Sequence, residues 1–133
     1  MKRIHFAGGC FWGLEHYLKN IDGVVSTEVG FANGSVDSPT YEQVYTDTTG
    51  HAETVAVTYD PAVIPLKELL EDFFCAIDPY SVNKQGEDEG TRYRTGIYYS
   101  SPEDLPVILE VCREQGDSLA VEVCPLACFF PAD

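Results

Sequence analysis

The chain has 133 residues, of which 44% are hydrophobic and 23% charged, and 22 acidic against 8 basic side chains give a formal net charge of −14. That length fits one domain, able to bury about two-thirds of the surface its unfolded form exposes, and no apolar run is long enough to cross a bilayer as a helix. So acidic a chain is a poor partner for nucleic acid or an anionic membrane surface, which leaves neutral and cationic partners.

Five cysteines, with no CxxC and no paired zinc spacing, resemble neither a disulfide framework nor a structural metal site. The opening Met1-Lys2-Arg3 has the charge of a signal peptide, but the apolar stretch Ile4–Ala7 is far too short for one. A reducing, cytoplasmic setting is expected.

Lys2–Ala7 suits a short strand that delivers Gly8-Gly9-Cys10-Phe11-Trp12-Gly13, and Phe11–Asn20 suits a helix left through the Asp22-Gly23 turn. Val24–Phe31 reads as a second strand. Residues 32–50 hold many turn formers around Tyr41, a loop long enough to carry function. Glu53–Tyr59 alternates as a half-buried strand with Val55, Val57 and Tyr59 on the apolar face, and by parity Glu53 points the same way. Leu66, Leu69, Leu70, Phe73, Phe74 and Ile77 form one stripe of an amphipathic helix, with Cys75 on the polar side.

A second polar loop, residues 78–94, precedes a strand at Thr95–Tyr99. Ser101-Pro102-Glu103-Asp104 then reads as a helix start with Ser101 as N-cap, and Leu105, Ile108, Leu109 and Cys112 as its apolar stripe. A last strand covers Leu119–Val123. The order β-α-β-β-α-β, with a further helix and strand, predicts an α+β two-layer sandwich with a ferredoxin-like core and a mixed sheet. No repeat or linker divides the chain, so residues 1–133 are expected to form a single catalytic domain.

Cys10 is the leading chemical candidate. A helix start offers unpaired N–H groups and the positive end of the macrodipole, both of which favour a thiolate. Packing of a small buried thiol is the competing local reading. Glu53, aimed into an apolar layer, is expected to hold its proton more tightly than an exposed carboxyl; alternatively it reaches solvent, or pairs with Arg92 or Arg94. His5, His16 and His51 have no diagnostic spacing, and His51 in its Gly-His-Ala-Glu turn is the best placed of them. Tyr41 and Tyr93 offer loop hydroxyls, and Asp88 lies in an acidic run. Three functions stay open on these residues: a reductase, a cysteine hydrolase pairing Cys10 with His51, and an acidic binding module.

Over nearly its whole length the chain resembles the peptide methionine sulfoxide reductases of the A type. The carrying motifs are Gly9-Cys10-Phe11-Trp12-Gly13, Pro39-Thr40-Tyr41, Gly50-His51-Ala52-Glu53 leading into Val57-Thr58-Tyr59-Asp60-Pro61, and Gln85-Gly86-Glu87-Asp88 with Gly90-Thr91-Arg92-Tyr93-Arg94. The resemblance implies that Cys10 attacks the sulfur of a methionine S-sulfoxide, free or protein-bound, and becomes a sulfenic acid. Glu53 would be the proton donor. Tyr41 and Tyr93 would hold the sulfoxide oxygen, Phe11 and Trp12 would receive the methyl group, and Asp88 would support them.

No cofactor or metal is implied, and thioredoxin or a small thiol would restore Cys10. A monomer is expected. Two departures stand out: Glu87 replaces the asparagine usual before the matched aspartate, and the chain ends at Asp133, where the family continues into a Tyr-His-Gln segment and a tail. The domain is therefore expected to lack that tail, which often carries the resolving cysteine, leaving Cys124 and Cys128 as the nearest internal candidates.

Overall fold

A computed structural model describes residues 1–33, 51–77, 84–85, 88–89, 91–116 and 120–132. Apolar alternation builds β1 (Lys2–Ala7), and the chain turns through two glycines into α1 (Phe11–Leu18). There follow β2 (Val24–Ala32), β3 (Ala52–Tyr59) and α2 (Leu66–Ala76), then the short ladder of β4 (Lys84–Gln85) and β5 (Asp88–Glu89). A 3₁₀ turn at Thr91–Tyr93 leads to β6 (Thr95–Tyr99), and α3 (Leu105–Gln115), β7 (Val121–Pro125) and β8 (Phe129–Pro131) complete the order.

The main sheet runs β7-β6-β1-β3-β2-β8, antiparallel throughout except for the β6–β7 pair. Its four inner strands, β6-β1-β3-β2, place β3 between β1 and β2. That is the split β-α-β arrangement of the expected ferredoxin-like core, and the class is α+β.

The sheet departs from the expected half-buried pattern. Strand parity puts Ile4, Phe6, Val55, Val57 and Ile97 with the helices, where Leu14, Leu18, Leu69, Leu70, Phe73 and Ile108 complete the large core. The other face is buried too. Ala7, Ala32, Ala52 and Tyr98 make a smaller core there with Cys124, Leu126 and Phe129 from the end of the chain. Thr54 and Ala56, expected to face water, are therefore enclosed.

Three further expectations need correction. In α3 the buried residues are Ile108 and Val111, whereas Leu109 is 46% exposed; one residue of phase separates the expected stripe from the observed one. Ser101 starts a 3₁₀ turn, Pro102–Asp104, and its side chain makes no capping bond. The last strand of the expected set begins at Val121, two residues later than read, and β8 follows it against β2, pairing Phe31 with Phe130 and Ala32 with Phe129. Among the described residues, no helix is long and apolar enough to cross a membrane.

Buried polar groups tie the sheet down. Asp104, 3% exposed, accepts a 2.5 Å bond from Lys2 Nζ, which fastens the start of β1 to the turn before α3. Asn33, at φ 54, is the hub of the C-terminal crossing: its Oδ1 accepts from Ala127 N at 2.7 Å and Cys128 N at 3.3 Å, and its Nδ2 donates to the Pro125 carbonyl at 3.2 Å.

His5 in β1 is buried edge-on against Phe129, and burial, helped by the nearby Arg3 charge, pushes its imidazole down to about 4 from 6.5. Below about pH 6.5 the unfolded chain takes up a proton that the folded state refuses until about pH 4. Stability should therefore fall across that window, by at most about 3 kcal/mol, and level off below it. Urea midpoints measured across the window should fall more steeply for the wild type than for His5→Gln. Parallel curves would contradict the assignment.

Candidate active site

The Gly8-Gly9 pair is dictated by packing. A Cβ on Gly8 would lie 2.6 Å from Ile77 Cγ2, and Gly9, at φ 77, would meet Gln85 Cβ at 2.8 Å. The chain thus passes tightly between α2 and β4 in a left-handed turn that glycine alone adopts without strain. The backbone N–H of Gly9 donates to the Tyr93 carbonyl at 3.2 Å, which couples the turn to the 3₁₀ segment before β6.

This turn sets Cys10 at the N-cap of α1, with extended φ −66 and ψ 125, and the Cys10 carbonyl accepts from Leu14 N. The Cys10 side chain makes no capping bond and is partly exposed. Its thiol therefore stands at the free end of the helix, as the sequence led one to expect.

Glu53 lies on β3 beneath that helix end and is 1% exposed. Its Oε1 accepts a 3.2 Å hydrogen bond from the backbone N–H of Phe11, one of the N–H groups a helix start leaves without a helical partner. The parity argument is borne out: Glu53 points to the helix side. The contact holds the carboxyl one peptide unit from Cys10. Arg94, one of the two cations suggested as its partner, donates to Glu122 at 3.1 Å.

Phe11 and Trp12 part ways at the first turn. Phe11 is fully buried, 5.6 Å from the Phe31 ring, while Trp12 packs edge-on against it at 5.1 Å and stays 55% exposed. Tyr93 is buried under the Arg92 guanidinium, 4.4 Å above its ring. Tyr41 lies outside the described residues, and Asp88 is placed only by its backbone in β5.

His51, the candidate base of the hydrolase reading, is 1% exposed, with its ring 5.9 Å from that of Phe130. Burial and the Arg94 charge hold it below the ordinary imidazole range. No group of acids, thiols and imidazoles suited to a metal ion occurs among the described residues.

A cavity of about 930 Å³ reaches Cys10 between α1 and α2. Its wall includes Gly13, Tyr17, Asp72 and Gln85, and Glu53 takes no part in it. Gln85, which the sequence placed in a motif without a role, donates from Nε2 to Thr95 Oγ1 at 3.0 Å, and its stem fills the space that Gly9 leaves.

A family model described as peptide methionine sulfoxide reductase matches residues 2–133. The peptide methionine sulfoxide reductase MsrA of Clostridium perfringens (strain SM101 / Type A) is 51% identical over 137 residues, spanning 100% of this chain and 87% of the relative. The MsrA of Clostridium acetobutylicum is 48% identical and spans 100% and 85%. Among solved structures, reduced Mxr1 from Saccharomyces cerevisiae aligns at TM-score 0.93 and 38% identity, over 99% of this chain and 80% of that one. The crystal structure of Mxr1 in complex with Trx2 aligns at 0.70 and 29% identity, over 97% and 78%.

Proposed function

Since the chain belongs to the peptide methionine sulfoxide reductase family, whose reaction here is the reduction of methionine S-sulfoxide to methionine, we propose that Cys10 is the nucleophile and Glu53 the proton donor. The observation that carries this is the Phe11 N–H bond to Glu53 Oε1, which fixes a buried carboxyl beside the thiol-bearing helix end. Burial favours the neutral, proton-carrying carboxyl before reaction. The same N–H and the helix end stabilise the carboxylate left after the proton has gone.

Cys10 sulfur attacks the sulfoxide sulfur and supplies two electrons. Glu53 protonates the oxygen as the new sulfur–sulfur bond forms; the resulting hydroxyl then passes from the substrate sulfur to Cys10 sulfur as the sulfur–oxygen and sulfur–sulfur bonds break, so that methionine leaves with the electron pair and Cys10 becomes a sulfenic acid. Trp12, the exposed member of the aromatic pair, and Phe11 behind it form the wall for the substrate methyl group. Tyr93, Tyr41 and Asp88 are the proposed holders of the oxygen.

An external thiol restores Cys10. One thiol displaces the sulfenic oxygen as water to give a mixed disulfide, and a second releases Cys10 and carries away the disulfide. Two of the internal thiols are poor nucleophiles: burial and the neighbouring Glu122 push Cys124 up to about 11, and burial raises Cys112. Thioredoxin is the proposed reductant, supported by the similarity to Mxr1, which has been solved in complex with Trx2.

All five cysteines are free, which suits a reducing, cytoplasmic compartment. Among the described residues the exposed large hydrophobics Met1, Trp12, Tyr17, Val25, Val63 and Leu109 are spread over five segments, with two of them on α1, which suits a monomer. Residues 1–133 are proposed to work as one catalytic domain, because β8 near the end of the chain closes the sheet against β2.

The test is stereochemical. With excess dithiothreitol, a peptide carrying both sulfoxide epimers should be consumed to about half, with the R epimer left over. Consumption of both epimers, or of neither, would overturn the reading.

A further inference from the structure

The cavity between α1 and α2 is not used by the chemistry above, and it shares with that chemistry only Cys10. Its volume, about 930 Å³, is that of a small-ligand cleft. Along α1 it is bordered by Cys10, Gly13 and Tyr17, spaced three and four residues apart on one helix face, and it continues to Asp22. Asp72 of α2 closes the opposite wall.

Gly13 is the informative residue. It sits in the first turn of an eight-residue helix, where glycine is among the poorest helix formers. It does not need a positive φ, and a Cβ there would meet nothing within 4 Å. Neither backbone conformation nor packing asks for glycine; its effect is to keep the floor of the groove open beside Cys10.

The acids of the groove are Asp22 and Asp72, and His16 lines it beside them. Asp22 is exposed and Asp72 half-buried, and neither carboxylate is ion-paired among the described residues. Lys2, Arg3, Lys67 and Arg94 are each paired with other acids, whereas Lys19 and Arg113 have no ion pair among the described residues. A chain segment lying in the groove would therefore meet two uncommitted negative charges.

We propose that this groove holds the residues flanking the oxidised methionine of a peptide substrate, and that Asp22 and Asp72 make it select cationic ones. The proposal rests on the assignment of Cys10 as the nucleophile. Exposed and half-buried charges give modest selectivity, so a preference of about three- to tenfold at low salt, shrinking as salt is added, is expected.

Methionine release is to be measured in a single turnover without reductant, for free methionine sulfoxide and for peptides with lysine or glutamate on both sides of the sulfoxide. The wild type should favour the lysine peptide by about three- to tenfold. Asp22→Asn/Asp72→Asn should lose that preference while reducing free methionine sulfoxide normally. Glu110→Gln/Glu114→Gln, which removes the same charge from α3, should retain it. Gly13→Leu should slow peptides more than free methionine sulfoxide.

Equal rates for the two peptides would overturn the proposal, as would a preference that survives loss of Asp22 and Asp72. So would a charge effect that appears only when thioredoxin drives repeated turnover, since the groove would then serve the reductant. Failure to reduce any of the substrates, free methionine sulfoxide included, would instead overturn the assignment of Cys10.

Discussion

Replacing Cys10 by serine is expected to lower peptidyl methionine S-sulfoxide reduction by about 10⁴-fold or more, the scale seen when an enzyme loses its nucleophile. A serine hydroxyl is nearly isosteric, and the Cys10 side chain makes no capping bond whose loss could unfold α1. Stability should therefore stay close to that of the wild type. A hydroxyl cannot take up oxygen as a thiol does on the way to a sulfenic acid. Dithiothreitol supplies reducing equivalents but no positioned thiol, and should not rescue the variant. Appreciable turnover by Cys10→Ser would move the chemistry to another residue.

Glu53→Gln is the second large effect. Glutamine keeps an oxygen to accept from Phe11 N–H, so the start of α1 should keep its geometry. An amide cannot protonate the departing oxygen. Loss of a positioned acid removes about 10²–10⁴-fold, or about 3–5 kcal/mol of transition-state stabilisation. The loss should appear in single-turnover methionine formation, while regeneration of a preformed sulfenic acid by thioredoxin should be much less affected. An unchanged reductive step would remove Glu53 from the mechanism.

The two effects have different origins in the sequence. Cys10 was legible because Gly8 and Gly9 announce a sharp turn between a strand and a helix, and the structure shows what each glycine avoids, Ile77 in one case and Gln85 in the other. Glu53 was legible by parity, since a side chain on the same strand face as Val55 and Val57 must enter the same layer. The β-α-β-β-α-β order was legible because strand and helix periods alternate clearly up to Tyr99.

Other parts depend on long-range contacts that local pattern does not encode. Strand β8 is three residues long, contains Pro131 and shows no alternation; it is a strand because Phe31 and Ala32 of β2 offer it an edge. The burial of Thr54 and Ala56 has the same source, because the segment carrying Leu126 and Phe129 covers a sheet face that would otherwise meet water. The Asn33 side chain was equally hidden. An Asn-Gly pair signals a turn, yet nothing nearby shows that this amide will hold residues 125–128, more than ninety positions away.

The groove next to Cys10 was invisible for a related reason. Its walls come from α1 and α2, more than fifty residues apart at Gly13 and Asp72, and only the folded chain brings them together. Gly13 and Asp72 become, in the structure, the floor and wall of one cleft.

The most direct test of the account is a single turnover of a peptidyl methionine S-sulfoxide without reductant, followed by dimedone trapping and mass mapping of all five cysteines. The account predicts one equivalent of methionine per chain and a dimedone adduct confined to Cys10. Methionine released with Cys10 unmodified, or an adduct on a different cysteine in its place, would contradict it.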